Sequence, residues 1–265
     1  MALVGDLGDH KYDEDGYTDL GMTPYGEWLS GDGAGKELIW TSGNHENIVG
    51  VEDWRSAIAK YGIRNVENKH FVHTVDDNGG CKGNVSFVGI SDEGGTRMKN
   101  QGVYPDGILL PDIEGTMENL RNSSGVSGPT VLLSHTPSNF QKNVNEGVDV
   151  MLSGHTHGGH IFPFHFFMFS FDGASGLFEK EREGGGGGFL YVSEGVVGWG
   201  PRVRLFSRPE IAIVELVVDE GQEPTGNTGM TMGQFFSWFS YFSVPLAMLS
   251  CLVVNIRDWR KRKAG

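Results

Sequence analysis

An α/β layered domain followed by one transmembrane helix is the architecture this sequence predicts. Three observations carry it. Short apolar runs bounded by turn residues recur along residues 1–218, helical patterns stand between several of them, and a long uncharged apolar run lies near the C-terminus. The runs at residues 2–4, 38–41, 71–75, 85–90, 130–133, 148–152, 189–192 and 211–218 read as strands. Helices are expected at residues 51–61 and 113–121, with a short one after Pro137. Glycine, at 41 of 265 residues, is roughly twice its usual share and argues for turns over a helical bundle. Five of these glycines, at 184–188, lack the Lys-Ser/Thr of a P-loop and read as a mobile loop.

The chain has no charged residue between Glu223 and Arg257, and residues 235–256 read FFSWFSYFSVPLAMLSCLVVNI. That length is close to what is needed to cross a hydrocarbon core of ~30 Å. The expected organisation is a domain over 1–218, a linker over 219–233, a transmembrane helix over 234–256 and a basic tail over 257–265. The tail's Arg257, Arg260, Lys261, Arg262 and Lys263 assign it to the cytosol by the positive-inside rule, which puts the domain on the lumenal or extracellular side. The stretch at residues 161–171, IFPFHFFMFSF, is too short to span and reads as core, lid or membrane contact.

Composition narrows the function. The formal net charge is −13, and with the basic tail set aside the domain is more acidic still. Such a surface excludes general nucleic-acid binding, which draws its affinity from Lys and Arg on phosphates. Cys81 and Cys251 are the two cysteines, so no disulfide framework or cysteine zinc module is available. A metal would have to be held by His, Asp, Glu or Asn.

Four clusters supply those types: GDLGD at 5–9, GNHE at 43–46, SHTP at 134–137 and GHTHGGH at 154–160. Each follows an apolar strand, so their polar side chains should gather where α/β sheets place ligands, beyond the carboxyl ends of strands. Asp and His suit Mn, Fe or Zn, and the glycines permit close backbone approach.

In this order the clusters resemble the calcineurin-like metallophosphoesterases, whose pattern is Asp-x-His, Gly-Asp-x-x-Asp, Gly-Asn-His-Asp/Glu, a lone His and Gly-His-x-His. The likeness extends to the membrane-associated branch through GHTHGGHIFPF at 154–164 and LYVSEGVVGWGPRVRLFSRPEIAIVEL at 190–216. It implies a four-layer αββα sandwich and metal-dependent hydrolysis of a phosphomonoester or phosphodiester with two divalent ions. By the same resemblance Asp6 bridges the ions, Asn44, His135 and His155 complete one site, and His157 serves the second. His45 acts on the leaving group or phosphoryl oxygens with Glu46 orienting it, Asp9 accepts a hydrogen bond behind the ligands, and His160 is a candidate substrate contact. A membrane tether adds the expectation of a substrate near the bilayer, such as a lipid phosphate or lipid-linked nucleotide sugar.

The family's first element, Asp-x-His, is not found before GDLGD. The expectation is an N-terminally incomplete chain; a half-metalated relative, or substitution by His10, Asp13 or Asp15, are the alternatives. A different class of function also stands, a catalytically impaired membrane-bound scaffold. His70 and His73 read as core-edge residues and His165 as structural. Trp199, Arg202 and Arg204 form a segment whose arginines either meet a phosphate or pair with the acidic surface.

Overall fold

The computed structural model describes residues 1–216, apart from 15, 32–36, 77–81, 103–106, 162, 164–172, 197, 199–202 and 206, together with 253–255. Its first sheet is parallel, with β1 (Ala2–Val4) beside β2 (Ile39–Thr41) and β2 beside β3 (Arg64–Asn65). Three helices belong to this part: α1 (Tyr17–Ser30), α2 (Asn44–Val49) and α3 (Val51–Lys60). The second sheet contains β4 (Lys69–Asp76), β5 (Lys82–Gly89), β6 (Thr130–Leu133), β7 (Val150–Ser153), β8 (Gly176–Glu181) and β9 (Gly187–Val192), in the order β4-β5-β6-β7-β9-β8. Its central strands run parallel, and each end is closed by an antiparallel hairpin. Helices α4 (Gly94–Asn100), α5 (Ile113–Arg121) and α6 (Phe140–Asn145) connect its strands.

Period-two alternation sorts the apolar side chains into three cores. Leu38 and Trp40 of the β2 segment face α1 and α3, packing with Met22, Trp54 and Ile58, while Ile39 points the other way. Val131 and Leu133 of β6 and Val150 of β7 meet Ile39 between the two sheets. Leu132 and Met151 face outward to Met117 and Leu120 of α5 and Val144 of α6. Helix, sheet, sheet, helix is therefore the layer order, and both sheets are covered on both faces over their cores.

Where the structure departs from the sequence reading, packing overrides a local signal. Helix α1 contains Gly21, Pro24 and Gly26, residues that disfavour helix interiors, yet Met22, Tyr25 and Leu29 join the core around Trp40 and Trp54. Strand β8, unforeseen in GLFEKE, alternates partly buried and exposed positions at a sheet edge. The glycine run is a hairpin turn, and its last two residues start β9. A Cβ on Gly188 would come within 2.7 Å of Val144 and 2.8 Å of the Val148 carbonyl, so this position needs glycine to let α6 and its following turn close on the sheet.

Among the described residues no helix is long and apolar enough to cross a membrane. The helix expected over 234–256 lies outside them except at its end, where Val253–Asn255 form strand β11 beside β10 (Ile213–Glu215). Its two β-branched valines favour strand pairing over helix. The linker, the basic tail and nearly all of the aromatic stretch at 161–171 also lie outside the described residues.

Candidate metal centre

Asp6, Asn44, His135 and His155 follow the carboxyl ends of β1, β2, β6 and β7, two strands from each sheet, and the structure brings all four together. Asp6 Oδ2 lies 2.9 Å from His135 Nε2. The same nitrogen is 3.2 Å from Asn44 Oδ1 and 3.2 Å from His155 Nδ1. The ligand-type atoms of Asp6, His135 and His155 all fall within 4.8 Å of one another. In a tetrahedral zinc site with bonds of 2.0–2.1 Å, ligand atoms stand about 3.3 Å apart, so the donor set fits a small divalent cation.

The backbone is shaped for this convergence. Gly5 (φ +74°) lets β1 turn sharply, and a Cβ there would stand 2.6 Å from both Gly43 Cα and His135 Nδ1. Asp6, His155, His157 and His160 all carry positive φ, an unusual conformation for residues other than glycine. The His135 ring is fixed from behind, since its Nδ1–H donates to the Val4 carbonyl at 2.7 Å. Its Nε2 is left to face the other three groups.

Charge is balanced within the cluster. Burial alone would lower the His135 pKa, but the Asp6 carboxylate outweighs it and pushes the pKa up to about 9. Burial would raise Asp6, and the hydrogen bond and positive charge of His135 reverse that, holding it at about 2. His155 is pushed down by its own burial and by the charge on His135. With no metal bound, a proton on His135 serves as the cation of the site.

Glu46 has another task than the one expected of it. It has no exposed surface, and its oxygens accept from the backbone N–H groups of Asp6 at 2.9 Å, Leu7 at 2.5 Å and Gly43 at 2.8 Å. It ties the GDLGD loop to the start of α2 and sets Asp6 in place. The group against the His45 ring is Asp9, whose Oδ1 is 2.7 Å from Nδ1, while the His45 backbone N–H donates to Asp6 Oδ1 at 3.0 Å. Behind this loop, Ser42 donates to Glu67 Oε1 at 2.5 Å. Glu67 is itself buried and held in a two-pronged pair by Arg55, at 2.6 and 3.0 Å.

Two other expected residues stand apart. His157 is not in the converging group; its Nδ1 lies 3.3 Å from Arg204 Nη2. His160 is only 4% exposed, and a Cβ on Gly198 would come within 1.9 Å of its Nε2, so the ring sits against backbone and has little surface to offer a substrate. Arg204 spends its guanidinium on backbone carbonyls, Ser207 and His157. His70 bonds Ser123 at 2.9 Å and His73 lies 3.7 Å from Glu37, away from the centre.

The sequence reading missed Asp92. Nearly buried just beyond β5, it accepts from Gly94 N–H and Thr136 Oγ1, both at 2.6 Å. It thereby joins the loop after His135 to the start of α4, where Gly94 packs on Asn44. The signal was present in SDEGG, an acidic residue and glycines after a parallel strand, but no expected cluster included it.

Comparison with known proteins agrees with this geometry. A family model described as calcineurin-like phosphoesterase matches residues 1–159. An uncharacterized metallophosphoesterase of Campylobacter jejuni is 30% identical over 183 residues, covering 67% of this chain and 41% of the relative. A Bos taurus protein named transmembrane protein with metallophosphoesterase domain is 27% identical over 220 residues, covering 79% of this chain and 44% of the relative. The chain thus spans less than half the length of either. The 5'-nucleotidase precursor of Thermus thermophilus aligns at 17% identity and a TM-score of 0.42, over 59% of this chain and 33% of that one, a likeness too partial to bear on the site. The ordered motifs, the donor set they build at the strand ends and the family-model match over more than half the chain make this protein a member of the calcineurin-like phosphoesterases, a family of phosphoester hydrolases.

Proposed function

We propose that the chain hydrolyses a phosphomonoester or phosphodiester with a divalent metal held by Asp6, Asn44, His135 and His155. The observation that supports this reading most is the approach of Asp6, Asn44 and His155 to within 3.2 Å of one His135 nitrogen. A metal bound there supplies Lewis acidity toward a phosphoryl oxygen and activates water near neutral pH. The protein's own part is positional. Val4 fixes which His135 nitrogen faces the site, and Glu46 fixes Asp6. His45 is partly exposed beside Asp6, and Asp9 accepts from its Nδ1–H. In the doubly protonated form of the ring, Nε2–H can then deliver a proton or hydrogen bond to the leaving oxygen, as in general acid catalysis.

The test is hydrolysis of p-nitrophenyl phosphate and bis(p-nitrophenyl) phosphate by the manganese- or zinc-loaded protein. His45→Ala is expected to keep the metal content and lower kcat by ~10²-fold or more. Unchanged kcat in His45→Ala would remove that residue from the mechanism and favour a binding role for the domain.

The membrane tether belongs to the same proposal and is supported by the charge-free run at 235–252 and by the name of the Bos taurus relative, a transmembrane protein. A helix crossing the bilayer would separate Val253 from Ile213, whereas the β10–β11 pairing joins them. Retention in the membrane pellet after carbonate washing supports the tether and a bilayer-borne substrate; release supports the pairing.

A further inference from the structure

We propose that Asp92 is a positioning residue of the metal centre, holding the Asn44 loop of one sheet against the His135 loop of the other so that both side chains reach one cation. The four metal-binding residues come in pairs from two separate sheets, Asp6 and Asn44 beyond β1 and β2, His135 and His155 beyond β6 and β7. Each sheet's own ladder spaces its own pair. The spacing between the pairs depends on what ties the strand ends of one sheet to those of the other. The Val4 carbonyl is one such tie, since it accepts from the His135 ring at 2.7 Å. Another runs through Asp92.

Residues 90–94 follow β5, the neighbour of β6, and meet both loops. Toward the second sheet, Ile90 N–H donates to the Leu133 carbonyl at 3.1 Å and Thr136 Oγ1 donates to Asp92 Oδ2 at 2.6 Å. Toward the first, Thr41 Oγ1 donates to the Ile90 carbonyl at 2.5 Å. Gly94 N–H donates to Asp92 Oδ1 at 2.6 Å, and a Cβ on Gly94 would stand 3.0 Å from the Cβ of Asn44. One carboxylate therefore serves each loop with one oxygen. It does so at 2% exposure, where bonds to an ionised acceptor are strong and an unmade one is costly. The His135 loop has little slack to absorb a change at Thr136, because Ser134 Oγ donates to the Thr136 carbonyl at 2.9 Å and Gly154 N–H to the His135 carbonyl at 3.0 Å. Hydrogen bonds that orient metal-binding groups from behind are typically worth about 10- to 100-fold in affinity. The metal in this inference rests on the proposed function.

The test is zinc affinity of the full chain by competition with a chelator, at a temperature far below every melting point, together with the visible d–d spectrum of the cobalt-loaded protein. Asp92→Ala is expected to bind zinc about 10- to 100-fold more weakly and to shift the cobalt bands. Asp92→Asn should restore both, since its amide oxygen can face Gly94 N–H and its nitrogen Thr136 Oγ1. Met117→Ala, in the outer core, lowers Tm without touching this bracket and should keep wild-type affinity and bands. If Asp92→Ala does not fold, Thr136→Val removes one arm and should shift the bands alone. Wild-type affinity and spectrum in folded Asp92→Ala or Thr136→Val overturn the proposal. So do equal losses in Met117→Ala, which would trace them to stability, or in Asp92→Asn, which would trace them to charge. Wild type that binds neither metal overturns the proposed function itself, and this inference with it.

Discussion

Replacing Glu46 separates two roles that its place in the sequence leaves confounded. In the structure its carboxylate accepts three backbone N–H groups and touches neither ring nitrogen of His45. Glu46→Ala strips all three donors of their partner. At about 1–3 kcal/mol for each buried donor left unsatisfied, with two of the three only partly buried, a loss of about 4 kcal/mol is expected. Glu46→Gln keeps one acceptor oxygen and relieves the repulsion from Asp6 that, with burial, pushes the Glu46 pKa up; about 2 kcal/mol is a fair figure there. For a domain of this size each kcal/mol moves Tm by roughly 2–4 °C. Melts in EDTA should therefore fall by about 4–8 °C for Gln and about 8–16 °C for Ala, and zinc affinity should fall with them as Asp6 loses its support. If Glu46→Gln instead keeps Tm and zinc affinity and loses only turnover, as His45→Ala is expected to, then Glu46 serves the His45 ring and the loop-anchoring assignment is wrong.

Other consequences follow from the same contacts. A metal must displace the proton that Asp6 holds on His135. Asp6 stays ionised down to about pH 2, and His155 is already pushed below the usual histidine range, so one proton leaves per ion between pH 6 and 8. Apparent affinity should then weaken tenfold per unit of acidification, about 100-fold from pH 8 to pH 6; a flat titration would contradict it. In the metal-free protein the same raised pKa has the opposite effect. His135 contributes stability that is full below its unfolded value of 6.5 and is lost as pH rises through about 9, so EDTA-treated protein should melt lower at pH 9.5 than at pH 6.5 by more than His135→Ala does. Arg55→Ala leaves Glu67 buried without its guanidinium and should cost about 3–5 kcal/mol. That loss should appear as a lower denaturation midpoint, and a shift below about 1 kcal/mol would show the pair to be replaceable.

Much of the fold could be read from alternating apolar runs. Strand β6 and helix α5 have the bounds expected of them, because TVLL and IEGTMENLR carry clean signals that no tertiary contact opposes. Helix α1 was hidden by Pro24 and two glycines, whose cost is met by burial against Trp40 and Trp54. Strand β8 was hidden by its charges, which suit a sheet edge. At the site, the rule that ligands gather beyond parallel strand ends located the four clusters, and the resemblance to the calcineurin-like metallophosphoesterases singled out Asp6, Asn44, His135 and His155 within them. Neither could say which group faces which. Glu46 and Asp9 are both near His45 in motif space, and only the chain's path shows Glu46 turned toward a loop about forty residues earlier and Asp9 turned toward the ring. His157 likewise shares its motif with His155, and its difference lies in Arg204, 47 residues away.

The central claim is that one constellation of Asp6, Asn44, His135 and His155 holds the metal on which phosphoester hydrolysis depends. The direct measurement is zinc and manganese content by mass spectrometry, with bis(p-nitrophenyl) phosphate turnover on the same samples, for the full chain and for His135→Ala and Asn44→Ala. Both variants should lose bound metal and turnover together while keeping native far-UV circular dichroism. Metal retained in folded His135→Ala at the wild-type level would contradict the assignment and place the ion, and the chemistry, elsewhere in the molecule.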